Sequence, residues 1–544
     1  MIPTLLVSAA WLPAWLGWGA LAWLDLLGGS TTATRQMGAG ALVLLGAATL
    51  ALVALVVAFV LPLSPALGSV LWAAGLGGAW RHRRSLVPAL PSREGTAFLV
   101  FASLALSYLS SSSDWIHDTG LYHFQQIRWA REAPVALGLA SLHFPLGHAS
   151  SWFPLAAFLP LPGLPIWTAL ALNTALSLAA FAFFHHQASG AFSRPAAVLA
   201  SALPFLAYGA SQTLSGPLLA SVSTDLPVAL LALVVTLLCV LAPQKGAREW
   251  AVPLAAILGA LSLTIKLSAA LTAALGMAIL IFRERPGRTA TRGAAFALAL
   301  ILAWAARGLA LSGCIAFPVA ASCVGLPWAV SPATIARALA DIRKDAVSAT
   351  IDPGLSAFTA ALARALRQVT LPPVPPLAAA AIVGLVLCLC FCRRRPRATG
   401  SERRAWALAS AGALGALLFW AATAPDPRFG YGALVSVAAL ALAWGAAPWA
   451  ETPWFRRAIF AVWLLLPALI VAKTLTGRGT TRTFSAWRLA RGGLPTGLIW
   501  RTTPFEIRRP SNGWACFDIE PPCTPQTHPD LAARGSYRKV FTRP

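Results

Sequence analysis

Four charged side chains stand in or against strongly apolar stretches of the sequence, where an ionisable group is costly and is therefore a candidate for function. Asp118 opens Asp-Thr-Gly-Leu-Tyr-His, Asp225 opens Asp-Leu-Pro, Lys266 separates two apolar runs, and Arg428 stands in Asp-Pro-Arg-Phe. A carboxylate can take a proton from a hydroxyl group, and an arginine or lysine can hold a phosphate. All four residues are therefore candidate functional residues, and the two cations suit an anionic partner.

The segment around Asp118 is unusually rich in hydrogen-bonding side chains. Asp114, His117, Tyr122, His123, Gln126 and Arg128 lie close to Asp118 in the sequence, and His143 and His148 follow. A simpler interpretation of Asp118 is a helix N-cap. The crowding favours a functional site at this segment over a cap alone.

The other three charged residues each have a structural alternative. Asp225 can cap the helix that contains Pro227, or it can form a second acidic wall of a cavity. Lys266 lies either within one long tilted helix or between two short ones, and it can extend to the interface or compensate an anionic headgroup. Arg428 lies in a predicted Pro- and Gly-containing turn, where it can contact a lipid phosphate or bind a substrate phosphate.

The composition identifies the kind of protein that positions these residues. Of 544 residues, 58% are hydrophobic and only 11% are charged, and the mean hydropathy is +0.70. Soluble domains carry about 25% charged residues, so a soluble globular protein is excluded. The net charge of +24 lies in short basic clusters between apolar spans, which is typical of cytoplasmic loops and not of a nucleic-acid-binding face.

We therefore expect an all-α polytopic membrane protein with about 14 transmembrane helices, in the range 12–14. The apolar spans lie near residues 3–27, 38–62, 65–80, 95–110, 166–184, 196–210, 224–242, 251–264, 266–282, 293–311, 376–392, 405–422, 431–447 and 457–475. Three long segments, 111–165, 312–375 and 476–544, then share the face opposite the basic clusters. We predict a helix along the membrane surface over 119–132 and helices over 332–345 and 355–368.

The cysteines leave two interpretations open on that opposite face. Cys516 with Cys523, and Cys314 with Cys323, are candidate disulfides that would indicate an oxidising compartment. The alternative is four free, buried cysteines.

Several of these motifs resemble the GT-C class of integral membrane glycosyltransferases. More narrowly, Asp-Thr-Gly-Leu-Tyr-His at 118–123, Ser-Ser-Trp-Phe at 150–153, Ser-Thr-Asp-Leu-Pro at 223–227, Lys-Leu-Ser at 266–268 and Asp-Pro-Arg-Phe at 426–429 are similar to motifs of a little-characterised group of bacterial polytopic membrane proteins. The tail around Cys516 and Cys523 is similar to that group as well.

The resemblance implies a sugar transfer from a polyprenyl-phosphate-linked donor to an acceptor, with inversion at the anomeric carbon. Asp118 would be the general base, with Asp114 as the alternative. The substrate and its phosphate would be bound by Asp225, Lys266 and Arg428 together with Tyr122, His123, Gln126 and His143. The acceptor would be a cell-envelope glycan, lipid or protein, and the cofactor stays open between none and a divalent cation. The expected location is the bacterial inner membrane, with the active face and the C-terminus in the periplasm.

The resemblance also implies a division of the chain into N-terminal transmembrane helices (1–94), a GT-C-like core (95–475) and a small loop-rich periplasmic cap (476–544). Two alternatives use the same membrane setting. A secondary transporter or lipid flippase would show inverted repeats and polar groups near the middle of the membrane. A surface-polysaccharide polymerase or ligase would use the same lipid-linked sugars.

Overall fold

The computed structural model describes most of the helical part of the chain and isolated parts of the tail. The described residues are 2–112, 116–189, 218–244, 246–281, 287–346, 378–379, 381–383, 385–386, 399–423, 426–447, 449, 452–455, 457–458, 461, 500–502, 508–510, 516, 521, 523–524, 532–534 and 540–542.

Helices make up most of this structure. The α-helices are α1 (Ile2–Ala20), α2 (Thr31–Val57), α3 (Pro65–Arg81), α4 (Arg83–Leu86), α5 (Arg93–Ser112), α6 (Phe124–Glu132), α7 (Leu139–Leu142), α8 (Trp152–Phe158), α9 (Ala171–Ser189), α10 (Asp225–Leu241), α11 (Arg248–Ile265), α12 (Ala270–Ile281), α13 (Arg288–Ser312), α14 (Pro332–Ala346), α15 (Gly400–Thr423) and α16 (Pro427–Ala446). The π-helical segment Leu21–Leu26 extends α1, and a second π-helical segment, Thr119–His123, precedes α6. Four short strands form two antiparallel hairpins in the tail, β1 (Trp500–Thr502) with β2 (Arg508–Pro510) and β3 (Ala532–Arg534) with β4 (Val540–Thr542).

Seven helices of the described part are long and apolar enough to cross a membrane, namely Ile2–Leu26, Thr31–Val57, Ile166–Ser189, Arg248–Ile265, Arg288–Ser312, Gly400–Thr423 and Arg428–Ala446. Asp225–Leu241 and Leu267–Leu280 are shorter apolar helices. The expectation of a polytopic helical membrane protein is therefore confirmed. Of the predicted spans, 196–210 lies outside the described residues, and 376–392 and 457–475 are described at only a few positions. The predicted helix over 355–368 also lies outside them.

Glycines allow the first three helices to pack closely. A Cβ atom at Gly46 in α2 would overlap the carbonyl oxygen of Trp15 in α1, and a Cβ atom at Gly17 would overlap that of Gly75 in α3. Helices in a membrane associate largely through such close packing, because lipid provides no hydrophobic drive between them. These glycines therefore set the spacing of the N-terminal helices.

Helices α11 and α13 run parallel to each other. At one end, Glu249 accepts hydrogen bonds from Ser30, and Arg292 donates one to the carbonyl of Leu26, so both helices begin beside the turn after α1. At the other end, the Thr264 and Ala310 carbonyls accept hydrogen bonds from the backbone N–H groups of Ser151 and Gly138. We call this second end, which carries residues 116–165 and 313–331, the loop face.

The predicted surface helix over 119–132 is only partly correct. The chain is helical there, but Phe124, Gln125, Gln126 and Ile127 are buried, and α6 packs against α8. A stripe that is apolar at helical spacing can face either lipid or protein, and here it faces protein. The helix belongs to the packed layer at the loop face and does not rest on the membrane surface.

Both candidate disulfides are formed in the structure. Cys314 is bonded to Cys323, and Cys516 is bonded to Cys523. Thr524 donates a hydrogen bond from its hydroxyl to the carbonyl of Leu142 over 3.3 Å, and β4 contacts α7. These described parts of the tail thus dock on the loop face.

Replacement of Gly46 by alanine tests the close contact of α1 with α2. We expect Gly46→Ala to destabilise the protein by about 1–3 kcal/mol, because the methyl group must displace the backbone of Trp15. Gly77→Ala in α3 is the matched control, since no atom lies within 4 Å of a Cβ there, and alanine favours a helix by about 1 kcal/mol. The melting temperatures of the two variants in detergent measure the difference. An equal decrease for both variants would contradict this packing.

Candidate functional site

Asp118 lies in helical backbone immediately before the π-helical turn Thr119–His123. Its side chain makes no N-cap hydrogen bond, so the interpretation as a cap is wrong. The segment before it is tied to the loop that carries Asp225, because Ser221 Oγ accepts a hydrogen bond from the Ile116 N–H over 3.1 Å. Single π-turns interrupt helices often at functional sites, and this one directly follows Asp118.

Asp225 is the first residue of α10 and is held from two sides. Ser223 donates a hydrogen bond from Oγ to Asp225 Oδ2 over 3.2 Å and accepts one from the Asp225 N–H. Behind this turn, the Asn173 amide donates hydrogen bonds to the carbonyls of Leu218 and Ser223. The side chain does not cap α10. It forms a direct ion pair with Lys266 instead.

Lys266 lies at a break between two helices. Of the two predicted arrangements, one long tilted helix or two short helices, the structure shows the two short helices. The Lys266 backbone is extended, with φ −153° and ψ 131°, between the end of α11 and the 3₁₀ turn Leu267–Ala269. Its Nζ also lies 3.9 Å from the centre of the Phe429 ring. An ammonium group held between a carboxylate and an aromatic face is not extending to the lipid interface.

Arg428 lies in the first turn of α16 and not in a loop, so the turn predicted around Arg428 is shorter than expected. Asp426 is the N-cap of this helix, and its Oδ1 accepts a hydrogen bond from the Arg428 N–H over 2.8 Å. Residues 424 and 425 lie outside the described residues. From this first turn, the Arg428 side chain reaches Asp118 and Asp225.

The four charged side chains meet in one cluster at the loop face. Arg428 Nη1 lies 3.2 Å from Asp118 Oδ2, Arg428 Nε lies 3.6 Å from Asp225 Oδ2, and Lys266 pairs with Asp225. We call Asp118, Asp225, Lys266 and Arg428 the charge cluster. Asp118, Lys266 and Arg428 are 26%, 25% and 20% exposed, whereas Asp225 is 5% exposed. Three of the four side chains are therefore partly exposed, and Asp225 is the buried one.

An aromatic wall stands beside the charge cluster. The ring centres of Tyr122 and His123 are 4.5 Å apart, Phe153 lies 5.0 Å from His123, and His148 lies 6.3 Å from Tyr122 and 5.6 Å from Phe317. Aromatic rings next to ionic groups offer a flat apolar surface together with hydrogen-bonding edges.

Both histidines of this wall are uncharged at neutral pH. Burial lowers the pKa of His123 to about 4, and the nearby Asp118 opposes this shift without cancelling it. Burial also lowers the pKa of His148 to about 4, with Lys266 acting in the same direction. Burial, with added repulsion from Asp118 and Asp225, raises the pKa of Tyr122 well above its usual value. The wall is therefore neutral, and the charge is confined to the cluster.

The remaining predicted site residues are Gln126, His143 and Asp114. The side-chain amide of Gln126 donates hydrogen bonds to the carbonyls of Pro145 and His148, which assigns it to holding this loop. His143 is buried with its ring 5.8 Å from that of Phe144. Asp114 lies outside the described residues.

The described residues do not fit a divalent cation. No group of three or more His, Cys, Asp and Glu side chains among them could hold a metal ion. Both carboxylates of the charge cluster are already paired with cationic side chains, and Mg²⁺ or Ca²⁺ would need further oxygen ligands there.

Sequence reasoning missed Phe429, Ser223 and Arg307. Phe429 is adjacent to Arg428, but nothing in the sequence shows that it contacts Lys266. Arg307 could have been found, because it is an arginine within an apolar span. Its side chain is only 4% exposed.

The fold and the charge cluster define a helical membrane protein with a polar site at one end of its bundle. Residues 1–435 match the family described as Domain of unknown function DUF8201, and the chain belongs to that family. No curated protein and no solved structure matches the chain.

Removal of Arg428 tests the coupling within the charge cluster. We expect Arg428→Gln to destabilise the protein by about 2–4 kcal/mol, because Asp118 and Asp225 then lose a cationic partner in a partly buried setting. Adding Asp118→Asn should recover part of this loss. Melting temperatures of both single variants and the double variant measure the coupling, and strictly additive effects would contradict the ion pair.

Acidification tests the two neutral histidines. Because their pKa values are lower in the folded protein than in the unfolded chain, their contribution to stability is complete above pH 6.5 and is lost as the pH falls toward 4. Each histidine should lower the free energy of unfolding by about 2 kcal/mol as the pH falls from 6.5 to 4.5. The melting temperature of His148→Gln should fall less over this interval than that of the wild type, and an unchanged slope would contradict the assignment.

Proposed function

We propose that the protein is a glycosyltransferase of GT-C type that transfers a sugar from a polyprenyl-phosphate-linked donor to an acceptor hydroxyl at the loop face. The observation that carries the proposal is the meeting of Asp118, Asp225, Lys266 and Arg428 in one accessible cluster at the ends of apolar helices. These residues are distant in the sequence, and each is costly next to lipid. An assembly of this kind is expected where a polar reaction takes place beside a membrane.

The geometry supports a base at Asp118. Its carboxylate is accessible, and Arg428 orients it through Oδ2. In the proposed reaction, Asp118 accepts the proton of the acceptor hydroxyl while the hydroxyl oxygen forms a bond to the anomeric carbon. The bond from that carbon to the phosphate oxygen breaks, and the lipid phosphate leaves with the electron pair. Attack from the face opposite the phosphate inverts the anomeric configuration.

The cations of the charge cluster have a second task in this proposal. Arg428 and Lys266 face the position where negative charge grows on the departing phosphate, and preorganised cations stabilise such a charge best when water is excluded. Tyr122 is the partly exposed ring of the aromatic wall beside Asp118, whereas His123 and Phe153 are buried behind it. Its ring can contact the C–H groups of a sugar, which pack on aromatic faces.

The proposal includes a topology. The chain would cross a bacterial inner membrane about 14 times, with the loop face and the C-terminus in the periplasm. The division into residues 1–94, 95–475 and 476–544 belongs to the same proposal. Two observations support it: the ends of α11 and α13 that lie away from the loop face are close to basic residues such as Arg248 and Arg292, and the disulfides lie at the loop face or in the tail.

Loss of the carboxylate tests the base. We expect Asp118→Asn to lower the rate of sugar transfer at least about 100-fold, which is typical of removal of a general base, while binding of the lipid-linked donor stays within a few-fold of wild type. The measurement uses purified protein, a panel of polyprenyl-phosphate sugars and candidate acceptors, with mass spectrometry of the product.

Asp25→Asn is the matched control for this experiment. Asp25 pairs with Arg81 and His82 at the end of the bundle away from the loop face, so its loss should leave transfer unchanged. Full activity of Asp118→Asn would remove the proposed base. Transfer of no sugar by the wild type, together with uptake of a substrate into vesicles that contain it, would favour a transporter.

A further inference from the structure

Arg307 is a buried cation that the charge cluster does not include. It lies in α13, five residues before the helix ends at Ser312, and is 4% exposed. Its Nε is completely buried, and within the part of the chain that the structure describes no hydrogen bond or ion pair reaches its guanidinium group. An unpaired cation in such a place costs several kcal/mol. Something must compensate its charge when the protein works.

Arg307 cannot be explained as an arginine that extends along lipid to reach water. It lies on the same side of α13 as Trp304 and Leu311, which pack with Trp129, Leu142 and Leu146 beneath the loop face. The opposite side of the helix carries the exposed Leu298 and Leu302. The arginine therefore points into the protein, and a charged side chain that interacts with lipid would point the other way.

The parallel course of α11 and α13 places Arg307 at the depth of the charge cluster. Lys266 follows Glu249 by 17 residues, and Arg307 follows Arg292 by 15 residues. Glu249 and Arg292 both contact the turn after α1, which places them at about the same height in the bundle. At about 1.5 Å per residue, the heights of Lys266 and Arg307 differ by about 3 Å. Leu267, adjacent to Lys266, packs on the same apolar group as Trp304. Arg307 thus lies at a depth similar to that of Lys266, on the side of the bundle that α13 forms.

The charge cluster itself has no positive charge left to attract a phosphate. Asp118 and Asp225 balance Lys266 and Arg428, and the Asp426 carboxylate lies beside Arg428 and adds a third negative group. A phosphate that approached these residues would meet a region of net negative charge. Arg307 is the cation at this depth that no acidic residue of the described part neutralises.

We propose that Arg307 binds the phosphate of a membrane-tethered isoprenyl phosphate and so anchors the lipid-linked donor before reaction. This rests on the proposed function and adds to it the residue that binds the donor in the ground state. A guanidinium group suits the task because it can donate two parallel hydrogen bonds to phosphate oxygens. The position of Arg307, one to two helical turns from the end of α13, matches a phosphate whose hydrocarbon tail stays in lipid.

Binding of farnesyl phosphate to the purified full-length chain in detergent tests this assignment, with farnesol and inorganic phosphate as the neutral and the tail-free probes. We expect wild type to bind farnesyl phosphate and Arg307→Met to bind it at least about tenfold more weakly, equivalent to about 1.4 kcal/mol. Arg288→Met is the matched control, because Arg288 is an exposed arginine at the other end of the same helix.

The outcomes separate this inference from the proposed function. Equal binding to wild type and Arg307→Met would overturn it, and so would farnesol or inorganic phosphate binding as tightly as farnesyl phosphate. If Arg307→Met does not fold, Arg307→Lys replaces it, and it should bind several-fold more weakly because an ammonium group lacks the two parallel donors. Unchanged binding by Arg307→Lys would then overturn the assignment. Arginine-dependent binding without any sugar transfer would leave the phosphate site standing and remove the glycosyltransferase.

Discussion

The ion pairs of the charge cluster join parts of the chain that the helices alone would not bring together. Asp118 precedes a π-turn in the first long loop, Asp225 begins α10, Lys266 separates α11 from α12, and Arg428 begins α16. Near a membrane, each of these charges is stable only if the opposite charge lies within a few ångströms. The positions of three helix ends and one loop are therefore linked, and the site exists only when all of them are in place.

The surroundings of the cluster show how its geometry is maintained. Ser150 and Ser151 donate hydrogen bonds to the carbonyls at the end of α11, immediately before Lys266. Trp152 donates a hydrogen bond to Asn173, and Asn173 holds the turn before Asp225. The Ser-Ser-Trp motif thus supports both the cation and the carboxylate of the buried ion pair. Its residues do not contact substrate in the proposed reaction, yet they control the distance between the groups that do.

The sequence identified the members of the charge cluster but not their pairing. A charge inside an apolar run is visible residue by residue, so Asp118, Asp225, Lys266 and Arg428 could all be named. Caps were the local alternatives for the two aspartates, and the structure excludes them because distant cations compete for the same oxygens. The sequence pattern predicted the helix over 119–132 but not its surroundings, because an apolar stripe does not reveal whether lipid or protein covers it. Arg307 was overlooked because one charge barely changes the hydropathy of its span.

The separation of charges around the site has a consequence for the proposed reaction. When Asp118 takes a proton, the cluster becomes more positive by one unit, and Arg428 loses part of the negative field that held it. In the same step, negative charge grows on the departing phosphate. A cation released from its carboxylate can then interact with that phosphate at a reduced cost in desolvation, since the Arg428 side chain is already 80% buried. Arg307 would hold the phosphate beforehand and the charge cluster would respond only in the transition state, which is the division of roles that raises the rate without merely tightening the binding of the ground state.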